Sequence, residues 1–181
     1  MYSPLFKLWH WLNAFVLTSL VGTVLLRETF LSKHTNADIL TQKLQTLDIS
    51  ITHESAIMLA KALRGPLWDW HIILGYALIA LLVYRILLIF DKKTVVEKPE
   101  DLHMKAVKCG YKILYAILTL FAITGIMMVF RTDLGISKEI AHQAKELHEL
   151  LYYGMWFIPL HVIGVIVEHK KSKSQLIDKM I

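Results

Sequence analysis

Residues 147–161 read LHELLYYGMWFIPLH, and this stretch decides the fold. His148 and His161 bracket an apolar segment, with Pro159 two residues before the second histidine. The residues that follow, VIGVIV at 162–167, stay apolar until Glu168. An apolar run of roughly 20 residues is what an α-helix needs to cross a bilayer. Residues 148–167 therefore read as a membrane span carrying an imidazole at one end and another well inside it.

Three further blocks have the same character. Residues 8–26 are apolar apart from His10, Asn13 and small hydroxyls. Residues 68–90 contain Asp69, His71 and Arg85, and residues 111–130 are interrupted by Lys112. The whole chain is 55% hydrophobic and only 19% charged, more apolar than a soluble domain of this size requires. Within lipid, each segment must satisfy its own backbone polar groups, so the blocks are helices. The expected fold is all-α, an integral membrane four-helix bundle. Its helices are expected at about 5–27, 67–90, 110–131 and 146–169, forming one domain over 1–181. The first block reads as a retained helix, because Arg27 and Glu28 follow it with no small-x-small cleavage site.

The lysines suggest an orientation. Lys92, Lys93, Lys98, Lys105, Lys108 and Lys112 lie around the segment between the second and third helices, and Lys170, Lys171, Lys173 and Lys179 lie in the tail. The opposite loops carry Lys33, Lys43, Lys61, Arg64, Arg131, Lys138 and Lys145 over more residues. By the positive-inside rule, both termini, the 91–109 loop and the 170–181 tail are expected in the cytoplasm. Residues 28–66 are then periplasmic, and their apolar spacing predicts one or two short amphipathic helices ended by Gly65-Pro66. The net charge of +5 is distributed by loop and gives no nucleic-acid signal. The single cysteine, Cys109, excludes an intrachain disulfide, and the absence of C-x-x-C-H excludes covalent c-type haem attachment.

Ionisable residues inside a membrane are costly and usually functional. His10, His71, His148 and His161 lie in or at the edge of the apolar blocks. In the expected topology His71 and His148 share the outer level. His161 lies 13 residues beyond His148, roughly 20 Å deeper, at the level of His10. Two imidazoles at one depth on different helices are what a bis-histidine b-type haem needs, and two such levels would carry electrons across the membrane. Gly75, one turn after His71, leaves room for a porphyrin or for close helix packing, and Gly22, Gly125 and Gly164 allow the same two readings. Arg85 returns to within about 40° of the face of His71, as a haem-propionate partner or a snorkelling cation. Arg64 and Arg131 are candidates for the outer propionates. The tryptophans read as interfacial anchors, and His142 as a fallback outer ligand.

LWHWLNAFVLTSLVGTVLL, GPLWDWHIILGYALIALLVYRIL, ILTLFAITGIMMVF and ELHELLYYGMWFIPLHVIGVIVEH together resemble the four helices of the bacterial cytochrome b-561 family. That family includes the b-type cytochrome subunits of nickel–iron hydrogenases. The resemblance covers nearly all of the chain except 28–63. It implies two noncovalent b haems, axial ligation by His10, His71, His148 and His161, and electron transfer between a redox partner and the quinone pool in the bacterial inner membrane. The partner could be a hydrogenase, another dehydrogenase or a c-type cytochrome. The protein would then be an electron-transfer component or oxidoreductase subunit rather than a stand-alone catalyst.

The alternative is a cofactor-free membrane anchor or assembly subunit with structural histidines. The chain also departs from the family pattern. The two fourth-helix histidines are usually 14 residues apart there, but 13 apart here. Thirteen α-helical steps leave them about 140° from alignment, against about 40° for fourteen. Either a tightened turn near Pro159 recovers part of that rotation, or one haem is displaced or absent.

Overall fold

The computed structural model of the chain describes residues 3–90 and 102–172. Among these residues there are seven α-helices, one 3-10 turn and no strand. The helices are α1 (Pro4–Glu28), α2 (Lys33–Gln45), α3 (His53–Leu63), α4 (Gly65–Phe90), α5 (Leu102–Val129), α6 (Lys138–Leu151) and α7 (Phe157–Ser172). The 3-10 turn, Tyr152–Trp156, joins α6 to α7. Four stretches are long and apolar enough to cross a membrane: Pro4–Glu28, His53–Leu88, Lys108–Val129 and Lys138–Lys170. Lys92, Lys93, Lys98, Lys173 and Lys179, which carry much of the expected orientation signal, lie outside the described residues.

The surface agrees with a bilayer environment. Large apolar side chains such as Phe15, Val83, Ile86, Ile123 and Ile163 stand exposed along the long helices. A water-soluble monomer rarely presents apolar area on this scale, whereas lipid covers it at no cost.

The chain forms two compact units. One comprises residues 15–77. Within it α2 and α3 pack through small side chains: Ala37, Ala56 and Ala60 are fully buried, with Leu40, Ile51 and Ile57 around them. Thr52 caps α3 by accepting a hydrogen bond from the Ser55 amide at 3.2 Å. Pro66 stands in the first turn of α4, where its missing N–H costs nothing.

The other unit comprises residues 1–14 and 78–181. Here Trp9 departs from the expected interfacial role. It is buried, its indole N–H donates to the Leu81 carbonyl at 2.8 Å, and its ring lies against Phe6 and Tyr115. A donor that finds a backbone acceptor on a neighbouring helix has no need of the interface.

Helix α6 begins at Lys138, ahead of the residue 146 from which the fourth helix is expected. Ser137 caps α6 by accepting from the Ile140 amide, and Lys145–Glu149 and His142–Glu146 form i,i+4 pairs at 2.9 and 3.3 Å. Capping and i,i+4 side-chain pairs extend the helix through a polar stretch that apolar periodicity does not report. Gly135 lies in the turn before α6 with φ +63°, a left-handed conformation that only glycine adopts without strain. That turn brings α6 back along α5.

The 3-10 turn is packed tightly. A Cβ built on Gly154 would lie 3.1 Å from Ile117 Cδ1 and 3.4 Å from its Cγ2 on α5. Gly154→Ala is expected to lower stability by about 1 kcal/mol through overpacking. Trimming the neighbour with Ile117→Val should recover part of the loss. Thermal unfolding of the two single variants and the double variant in detergent checks this. Strictly additive losses would mean that the two residues do not press on each other.

Candidate functional site

The four membrane histidines fall on four helices: His10 on α1, His71 on α4, His148 in the last turn of α6 and His161 on α7. The unit of residues 1–14 and 78–181 contains three of them, and His71 belongs to the other.

His10 and His161 come together. Their ring centres are 6.2 Å apart, with planes at 62°. A metal–imidazole bond is about 2 Å, so two imidazoles on opposite sides of one iron have ring centres about 6 Å apart. The observed separation fits a bis-histidine haem. Aromatic rings hold His161 in place. Phe157, one turn earlier on α7, stacks on it at 5.7 Å, and Tyr111 of α5 meets its edge at 6.3 Å. One turn beyond His10, Asn13 is buried, and its Oδ1 has no hydrogen-bond partner among the described residues. A buried polar atom of this kind suits an interior completed by a bound group.

The 13-residue spacing is compatible with this meeting because of the 3-10 turn. Five residues, Tyr152–Trp156, lie in that turn between His148 and His161. A 3-10 step turns about 120° rather than about 100°, so the five add about 100° to the rotation. With ideal 3-10 geometry the histidines would end about 40° from alignment and about 22 Å apart along the axis, nearly what fourteen α-helical steps would give. Pro159 accounts for the position of the turn. It has no N–H for the Met155 carbonyl, and its ring crowds that carbonyl, so the residues just before it leave the α-helical bonding pattern.

Arg85 is turned onto aromatic rings rather than reaching for an aqueous interface. Its guanidinium carbon lies 5.1, 5.4 and 5.8 Å from the ring centres of Phe6, Trp9 and Tyr115, and its Nε–H donates to the Tyr115 hydroxyl at 3.0 Å. Cation–π contacts and a hydrogen bond make a charge tolerable inside an apolar span. Phe6 and Trp9 precede His10 on α1, so this cage adjoins the His10–His161 pair in sequence.

His148 is cradled by α5. Its Nδ1 is 2.8 Å from the Thr124 hydroxyl, Phe121 meets the ring edge-on at 4.8 Å, and Gly125 leaves ordinary contact distance to its Cε1. In the unit of residues 15–77, the His71 Nδ1 is 2.7 Å from the Thr23 hydroxyl of α1. Trp68 stacks on His71 at 5.2 Å with planes at 6°, and Arg27 covers Trp68 at 5.5 Å. A Cβ on Gly75 would meet nothing within 4 Å, so this glycine marks open space beside the next turn rather than tight packing.

Arg64 lines a polar cleft of about 210 Å³ with Arg27, Lys33 and His34. Arg131 lies in the turn after α5, where its carbonyl accepts from the Ile136 amide. His142 is exposed and paired with Glu146, so the structure gives the fallback ligand a surface partner. Among the described residues, no three His, Cys, Asp or Glu side chains gather as a bare metal ion would need.

Sequence reading missed Thr23, Thr124, Arg27, Phe157 and Tyr115. Threonines and aromatics are ordinary in membrane helices, and only their distance to a histidine or arginine sets these apart.

The helices and their internal imidazoles define an all-α, membrane-spanning protein equipped to hold a planar metal cofactor. The chain belongs to the prokaryotic cytochrome b561 family, whose model matches residues 1–181. Membership makes it a membrane b-type cytochrome working in electron transport through haem b. Comparison with curated proteins and with solved structures gave no match.

Proposed function

We propose that this cytochrome carries electrons between a redox partner and the quinone pool through two bis-histidine haems. His10 and His161 would hold the inner haem, and His71 and His148 the outer one. The observation that carries the reading is the 6.2 Å separation of the His10 and His161 rings, which fits one iron between them. Bound haem supplies a one-electron couple, and the chain's part is to ligate it, exclude water and set its potential. Arg85, held among rings of which Phe6 and Trp9 precede His10 on α1, is the proposed partner of an inner propionate. Arg64, in a cleft with Arg27 and Lys33, is the corresponding candidate for an outer propionate, with Arg131 as a second. Gly75 provides space next to His71. The lysine distribution supports a multi-pass protein of the bacterial inner membrane with both termini in the cytoplasm. The redox partner is of the hydrogenase, dehydrogenase or c-type cytochrome class, as in the family.

The test is a reduced-minus-oxidised spectrum of the purified protein with haem and protein both quantified. The expected result is a b-type spectrum at a ratio of about two haems per chain. A ratio of about one would refute the two-haem scheme. Quinol should reduce the oxidised protein, or quinone should oxidise the reduced protein, according to the direction of flow, and a spectrum moved by neither would refute the quinone link.

A further inference from the structure

Two histidines on different helices have the same environment at the same nitrogen. The Thr23 hydroxyl lies 2.7 Å from His71 Nδ1 and 2.6 Å from the Leu20 carbonyl. The Thr124 hydroxyl lies 2.8 Å from His148 Nδ1, 2.8 Å from the Leu120 carbonyl and 3.2 Å from the Phe121 carbonyl. Both threonines are buried. Each arrangement lies wholly within one of the two compact units.

The protons can be assigned. A hydroxyl has one proton, and a carbonyl oxygen only accepts. Each threonine therefore spends its proton on the carbonyl of its own helix. The short contact to the imidazole must then run the other way, from Nδ1–H to the threonine oxygen. A neutral imidazole carries one proton, so Nε2 is left with its lone pair. That is the tautomer an iron ligand needs. Among the described residues, no hydroxyl is placed this way on His10 or His161, which are held by rings instead.

We propose that Thr23 and Thr124 are positioning residues for the outer haem. They hold His71 and His148 in the Nδ1-protonated tautomer with Nε2 presented to the iron, and they tune that haem's potential. The proposal rests on the reading of His71 and His148 as its ligands. An Nδ1–H that donates a hydrogen bond makes its imidazole a stronger electron donor, which favours oxidised iron and lowers the potential. Because the acceptor is a hydroxyl already committed to its own helix, the effect is built into α1 and α5 and does not depend on water.

The experiment uses the full-length holoprotein, with Thr23→Val and Thr124→Val as near-isosteric variants lacking the hydroxyl. Each is expected to raise the midpoint potential of one haem and to weaken its retention about 10-fold or more, leaving the other haem unchanged. Thr23→Ser and Thr124→Ser, which keep the hydroxyl, should restore wild-type values. His71→Ala and His148→Ala identify the affected haem by removing it. If those histidine variants lose a haem while the valine variants keep wild-type potential and retention, the positioning role is overturned and the ligand reading stands. Should neither histidine variant lose a haem, the ligand reading itself fails. Shifts in two different haems would overturn the pairing of His71 with His148. If the valine variants do not accumulate, Thr23→Cys and Thr124→Cys carry the test, since a thiol is a weaker acceptor. An intermediate upward shift is expected from them, and a wild-type potential would overturn the proposal.

Discussion

Replacing His161 by alanine is expected to remove one haem, taking the ratio from about two per chain to about one. His10→Ala should give the same spectrum, because in the proposed scheme both rings serve one iron. The reason is geometric. The two rings are 6.2 Å apart, and His161 is held by Phe157 stacked on it and by Tyr111 at its edge. His71→Ala should remove the other haem, and the doubly substituted His71→Ala, His161→Ala protein should bind none. Potentiometric titration followed in the α-band distinguishes the cases. His161→Ala protein that retains both redox transitions would refute the inner-ligand assignment.

The second large effect concerns backbone geometry. Pro159→Ala is expected to make the fourth span more regular and yet to lose most of the inner haem. Alanine restores the missing N–H, and helix propensity favours it over proline by about 3 kcal/mol. If the Tyr152–Trp156 turn relaxes to α-helix, His161 swings back by about 100°, away from His10. A one-residue insertion between Ile158 and position 159 should then compensate in the alanine background, since fourteen α-helical steps point nearly where thirteen mixed steps do. The same insertion with Pro159 present should do the opposite and deplete the inner haem. Haem-to-protein ratios of the four proteins form the test. An unchanged ratio in Pro159→Ala, or no rescue by the insertion, would show that the turn is not what aims His161.

Much of the fold, and the four histidines of the candidate site, are legible in the amino-acid sequence. Runs of apolar residues fix helices in lipid because every backbone group must be satisfied within its own segment. The same apolar surroundings single out His10, His71, His148 and His161, since an imidazole in such a run is costly unless it has a partner. Gly65-Pro66 marks the junction of α3 and α4 for the equally local reason that proline suits the first turn of a helix.

The rest depends on distances between helices. Trp9 resembles the other tryptophans in sequence, yet it is buried, with its indole N–H on the Leu81 carbonyl of α4. Thr23 and Thr124 look like small polar residues of any membrane helix, and become distinctive only at hydrogen-bond distance from an imidazole. Arg85 could snorkel or serve a ligand by sequence, and three rings from α1 and α5 decide how it is held.

The stretch at 147–161 shows where the division falls. Its residues alone determine a membrane helix carrying two histidines and a proline that must break the α-helical pattern, because hydropathy and a missing N–H are properties of the chain itself. Its sequence does not determine how far the break turns the second histidine. Tertiary structure decides that, through a 3-10 turn seated with Gly154 against Ile117, because the sum of many small rotations is set by what the helix packs against.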